Sequence, residues 1–253
     1  SEGESQGTIL YLHGGGYLAT TPEMYAIFNA WTASVTGCEV FVPDYRLAPE
    51  FPFPAGLDDV TAVYEELVDG PDSADRLMIA GDSGGGGLAT SLLQVIAERN
   101  LPQPVAVALF SPQVCLELGD PSVVDNADRD ILPREIPVTP YLQGGVDPAE
   151  AIVSAVNADP SQFPPMYVAV GGDEMFHDPI VRFVEGAEDA GVRTVLFDEP
   201  EMFHVYMILM PWMTASQRLY DDLRERFEAA RADREPNVES RLVDADRPEQ
   251  VHR

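Results

Sequence analysis

Lysine is absent from this 253-residue chain: all 15 basic residues are arginine, against 43 Asp and Glu, for a formal charge of −28. So acidic a chain repels phosphate backbones and anionic headgroups, which argues against nucleic acid or a charged membrane as partner. Long apolar runs are missing too. No window approaches the roughly 18–20 apolar residues of a membrane span. The opening SEGESQG has neither the basic nor the apolar region of a signal peptide, so the expected location is cytoplasmic. It also lacks an initiator Met, which suggests a processed chain or a fragment. Cysteine is scarce. Cys38 and Cys115 each sit in or beside an apolar strand-like run, with no Cys or His at ligand spacing. They read as two reduced core thiols, and no metal or cofactor is expected.

The acidity has two readings. Adaptation to high salt is one, because screening relieves the self-repulsion of an acidic surface. The other is an arginine-biased genome with an acidic isoelectric point. A salt series on activity and melting temperature separates them.

What is present is regular. Apolar residues make up 45% of the chain, enough to bury one large core. Strand-like runs occur at 8–12, 39–43, 76–80, 105–110, 166–170 and 194–198, with little polar alternation, as in strands buried on both faces. Helical patterns lie between them at 22–35, 57–70, 86–100 and 178–191, and a long amphipathic one closes the series at 215–234. The alternation predicts a mostly parallel sheet of about six strands with helices on both faces, and sites at the strands' carboxyl ends. Residues 1–235 read as one domain, 111–165 as an irregular excursion over the sheet, and 236–253 as a disordered tail.

Two motifs carry chemistry. Gly81-Asp82-Ser83-Gly84-Gly85 matches the surroundings of the nucleophile in trypsin-like proteases, and also G-x-S-x-G, the elbow of α/β-hydrolases. Context decides between them. Ser83 follows a strand and opens a helix, whereas a trypsin-like protease is all β and orders its triad His, Asp, Ser. The single histidine before Ser83 is His13, embedded in HGGG. That glycine run follows the first strand, and its amides can approach a developing oxyanion closely.

HGGGY (13–17), DYRLAPEFPFPA (44–55), GDSGGGGLA (81–89), SP (111–112), GGDEMFHD (171–178) and EMFHVY (201–206) together resemble the hormone-sensitive-lipase-like α/β-hydrolases, a group of carboxylesterases, acetyl-hydrolases and lactone hydrolases. The resemblance covers roughly residues 8–232. It implies an α/β-hydrolase fold, Ser83 as nucleophile, His204 as general base, and an oxyanion hole from the amides of Gly15, Gly16 and Gly84. His204 is also the best of four histidines by position, in a loop after the last strand. His13 pins the glycine loop, His177 sits beside a helix start and His252 lies in the tail.

The acid is Glu174 or Asp173. The family pattern G-x-x-D-x-L-x-D, laid on Gly171, puts Glu174 at the catalytic place, 30 residues before His204, and favours it. Asp178 before Pro179 reads as a helix N-cap. Arg46 and Glu50 are expected to fix the loop before the second helix, and Asp82 to brace the elbow. Met202, Phe203, Tyr206 and Met207 read as core or pocket wall.

Departures from the family bear on specificity. Only 12 residues precede His13, where relatives carry cap helices and two further strands. The expectation is an absent cap, an exposed edge strand at 39–43 and a tendency to form a homodimer. Gly84 replaces the commoner Ala and is followed by three more glycines, which is expected to loosen the turn. The leading function is a serine carboxylesterase acting on small, short-chain acyl esters. A lactone hydrolase or arylformamidase would use the same residues. A ligand-binding or inactive hydrolase-fold remnant is the alternative from another class.

Overall fold

The computed structural model describes residues 5–69 and 74–231, so the segment 236–253 lies outside the described residues. Six strands form one all-parallel sheet: β1 Thr8–Leu12, β2 Glu39–Phe41, β3 Leu77–Asp82, β4 Ala106–Phe110, β5 Met166–Gly171 and β6 Thr194–Glu199, in the order β2-β1-β3-β4-β5-β6. The sheet thus grows from β1 in both directions, and β2 is an edge, with Phe41 about half exposed.

Alternation along each strand explains why the runs are apolar throughout. Leu10, Leu12, Ile79, Leu109 and Val168 point to one face, where they meet helices α2 Ala55–Leu67, α3 Ser83–Arg99 and α6 His177–Asp189. Ile9, Tyr11, Met78, Phe110 and Tyr167 point to the other, where they meet α1 Ala26–Thr36, the short α7 Tyr206–Leu209 and α8 Thr214–Arg231. Both faces are therefore dry, and each buried Leu or Phe contributes about 1.5–3 kcal/mol. The predicted stripe Leu219, Leu223 and Phe227 is buried against the sheet. Cys38 and Cys115 are free and buried. Among the described residues, no helix is long and apolar enough to cross a membrane.

Residues 111–165, between β4 and β5, hold only short helices, α4 Pro121–Asp125 and α5 Thr139–Leu142, and a 3-10 turn at 155–157. This segment runs over the carboxyl ends of the strands. Tyr141 stacks on Tyr17 of the glycine loop, with centroids 3.8 Å apart. Arg46 clamps the loop before α2 through a bidentate ion pair with Asp59, at 2.8–3.0 Å.

Two expectations change. Glu50 is exposed and, among the described residues, makes no hydrogen bond or ion pair. Asp178 is not the N-cap of α6. The helix starts one residue earlier, at His177, and the Asp178 carboxylate instead accepts the N–H of Ser122 at the start of α4. A neighbouring segment made the better use of that carboxylate, which sequence spacing cannot register.

Candidate active site

The site begins where β3 becomes α3 without a loop. Ser83 adopts φ +50°, a left-handed conformation that few non-glycine residues tolerate. Close packing holds the turn. A Cβ on Gly85 would lie 2.1 Å from the carbonyl oxygen of Leu12, and one on Gly81 would lie 2.7 Å from that of Gly85. The glycines therefore answer to backbone contact across the elbow.

Asp82, buried, ties the elbow to the glycine loop. It accepts from the Tyr11 hydroxyl at 2.8 Å, the Tyr25 hydroxyl at 2.8 Å and the Gly14 N–H at 3.0 Å. Burial pushes its carboxyl above the usual range, against these three bonds. His13 is buried in the same loop and stacks on Tyr45 at 4.4 Å, with Nδ1 2.8 Å from the Thr20 hydroxyl. Gly15 and Gly16 both have positive φ and line the cavity in front of Ser83. A Cβ on Gly84 would meet the backbone of Gly16 and Tyr17 at 3.0 Å, so the start of α3 packs directly on the glycine loop. Among the described residues neither the Gly15 nor the Gly16 amide donates a hydrogen bond.

The opposite wall is built from the loops after β5 and β6. His204 Nε2 lies 2.8 Å from Ser83 Oγ, and His204 Nδ1 lies 3.2 Å from Glu174 Oε2. All three residues are buried. The second oxygen of Glu174 accepts from the Ser111 hydroxyl and from the Gly171 N–H, each at 2.6 Å. Both oxygens of this fully buried carboxylate thus have hydrogen-bond partners. Asp173, one residue away, turns outward to Arg129 at 2.7 Å. Adjacent residues here face opposite environments, and Glu174 is the one beside His204.

Sequence reasoning left three positions without a role. Asp130, in the excursion, accepts the His204 N–H and the Met175 N–H, both at 2.8 Å, so one carboxylate fixes both partner loops. Ser111 sits at φ +47° and accepts the Val205 N–H at 3.0 Å while donating to Glu174. Asn126 donates to the Glu174 carbonyl at 2.8 Å. Ser111 lay inside a quoted motif, but Asp130 and Asn126 carry no local signal. Met202 and Phe203 are partly buried, and Tyr206 and Met207 fully, as core. His177 stands apart, 3.0 Å from Asp198 on β6, and that carboxylate raises its pKa.

Ser83, His204 and the glycine loop open on a cavity of ≈ 300 Å³ walled by Leu18, Leu132, Pro133, Ile136, Pro137 and Phe176. A second, mostly apolar crevice at the amino ends of the strands, between β5 and α8, contains none of these groups. Among the described residues, no cluster of His, Cys, Asp and Glu could hold a metal ion.

A parallel sheet carrying a strained serine elbow defines the α/β-hydrolase class, and the description of that fold family matches residues 9–208. The chain belongs to this family, in its hormone-sensitive-lipase-like branch of carboxylic ester hydrolases. It is 31% identical over 214 residues to an acetyl-hydrolase of Streptomyces hygroscopicus, covering 83% of this chain and 72% of that one. A carboxylesterase of Mycobacterium tuberculosis is 31% identical over 212 residues, covering 79% and 66%. The crystal structure of a hormone-sensitive-lipase homologue from a metagenome library superposes with a TM-score of 0.86 at 35% identity, covering 91% of this chain and 81% of that one.

Proposed function

We propose that the protein is a serine carboxylesterase that hydrolyses short-chain acyl esters through an acyl-enzyme. One observation carries this proposal: the continuous buried relay from Ser83 Oγ through His204 to Glu174, at 2.8 and 3.2 Å.

Ser83 Oγ attacks the ester carbonyl as its proton passes to His204 Nε2. Glu174 accepts the Nδ1–H, fixes the tautomer and stabilises the imidazolium that forms. The carbonyl oxygen becomes an oxyanion received by the amides of Gly15, Gly16 and Gly84, each contributing roughly 10²–10³ in rate. The imidazolium returns its proton to the departing alkoxide, which leaves as the alcohol. Water, deprotonated by His204, then attacks the acyl-enzyme, releasing the carboxylic acid and restoring Ser83. The small apolar cavity favours short acyl chains, in keeping with a relative named for acetyl hydrolysis. Residues 111–165, within a hydrolase domain spanning 1–235, supply the wall facing Ser83.

p-Nitrophenyl acetate and butyrate test the proposal directly. The protein should turn over both, with Ser83→Ala slower by about 10⁴-fold or more. Equal rates for the two proteins would refute it.

A further inference from the structure

The polar side chains around the cavity are nearly all committed to one another. Asp82 holds Tyr11, Tyr25 and Gly14; Ser111 joins Glu174 to Val205; His204 lies between Ser83 and Glu174. Gln113 is different. It follows the Ser111-Pro112 turn after β4, and its backbone N–H donates to the carbonyl oxygen of Ser83 at 2.9 Å. That bond fixes its Cα at a set distance from the serine. The residue is 2% exposed and lines the cavity. Among the described residues, its carboxamide has no hydrogen-bond partner. The amide atoms are nevertheless not sealed in protein, as the unpartnered Nε2 of His13 and hydroxyl of Tyr206 are. They keep a little accessible area, and Gln113 is one of the residues lining the cavity.

A buried amide without a partner is destabilising, and a leucine or methionine of similar volume would fill the same wall without that cost. Tyr25, Asp82, Ser83 and His204 also line the cavity but are already bonded to one another or to the loop, and the remaining walls are mostly apolar, so the carboxamide is the uncommitted directional side chain of the pocket. Such a group selects ligands that can bond it and discriminates against isosteres that cannot.

We propose that Gln113 determines specificity, and that the preferred substrates are short-chain esters whose acyl chain carries a hydroxyl or oxo group that bonds the Gln113 amide. This rests on Ser83 being the nucleophile. The acyl chain stays attached to Ser83 Oγ through both half-reactions, whereas the alcohol leaves after the first. A side chain anchored to the backbone of Ser83 therefore acts on the acyl half throughout.

The experiment compares kcat/KM for p-nitrophenyl 3-hydroxybutyrate and p-nitrophenyl butyrate, in the wild type and in Gln113→Leu. The ratio of hydroxy to plain ester should fall about tenfold in the variant. An unchanged ratio overturns the role of Gln113, while turnover of butyrate, lost in Ser83→Ala, leaves the esterase proposal standing. Should Ser83→Ala match the wild type, the esterase proposal fails instead. A loss confined to esters with polar alcohols, such as 2-hydroxyethyl against propyl butyrate, overturns the acyl assignment. Gln113→Met, closer in shape, carries the same comparison if Gln113→Leu does not fold.

Discussion

The two walls of the cavity are made in different ways. On one side the elbow and the glycine loop are locked by backbone contacts at glycines and by the three bonds to Asp82, deep between the ends of β1 and β3. On the other side the excursion 111–165 has almost no regular structure, exposes Val124 and Ile131, and presents apolar side chains from a Pro-rich turn. Chemistry needs atoms held to fractions of an ångström, and the rigid side supplies that. Shape selection needs a replaceable surface, which a loop over the sheet provides. Asp130 joins the two regimes, because it anchors the loose segment to the backbone of His204 and Met175.

The sharpest way to break the comparison lies in the relay. Glu174→Gln should lower kcat by about 10³–10⁴-fold, because an amide no longer fixes the imidazole tautomer or its charge. Asp173→Asn should stay near wild type, since that carboxylate faces Arg129. Steady-state kinetics with p-nitrophenyl butyrate distinguishes them, and a dead Asp173→Asn beside an active Glu174→Gln would reverse the assignment of the acid.

On the rigid side, Gly85→Ala forces a methyl against the carbonyls of Leu12 and His13. The expected loss is about 3 kcal/mol, measured by urea unfolding. A fall in Tm of less than a degree would show that the elbow has slack after all.

Asp130→Ala strips acceptors from two loop N–H groups, at about 1–3 kcal/mol for each that stays buried and unpaired. The accompanying change should be a fall in kcat larger than any rise in KM, because His204 loses its anchor and the cavity wall does not. If KM moved and kcat held, Asp130 would belong to the specificity wall and not to the relay.

Leu132→Ala, in the loose wall, should shift the preference between acetate and hexanoate esters by roughly 10-fold, with little loss of stability. Unchanged selectivity would mean that the excursion does not touch the acyl chain.

The smallest effect is expected from His177, outside the site. Its pKa is raised by the hydrogen bond to Asp198, so its contribution to stability is full below the unfolded value of about 6.5 and is lost as pH rises through the folded pKa. The pair is partly exposed and worth at most about 1 kcal/mol. The Tm gap between wild type and His177→Asn should therefore narrow from pH 5.5 to pH 9, and a gap that widened would contradict the sign.

Strand positions, the two dry faces, Ser83 and the glycine loop were all legible in the chain. Each rests on local pattern: apolar runs of strand length, a glycine series after a strand, a serine between strand and helix. The preference for Glu174 over Asp173 came from the family pattern that the resemblance implies, and the loop's twist is what sets Glu174 beside His204 and turns Asp173 to Arg129. Asp130 and Gln113 had no such signal, because their partners lie 30 to 74 residues away. A polar residue in an irregular segment has no periodicity to betray what it faces. Asp178 misled for the same reason, its carboxylate being taken by Ser122, 56 residues before it.

The sequence by itself determined a parallel α/β sheet and a serine poised at its elbow, since hydrophobic periodicity and glycine sterics act over a few residues. Tertiary structure decided which carboxylate meets His204, what braces the two loops, and which amide looks into the pocket. Those outcomes depend on burial, where a polar group must find a partner wherever the chain brings one.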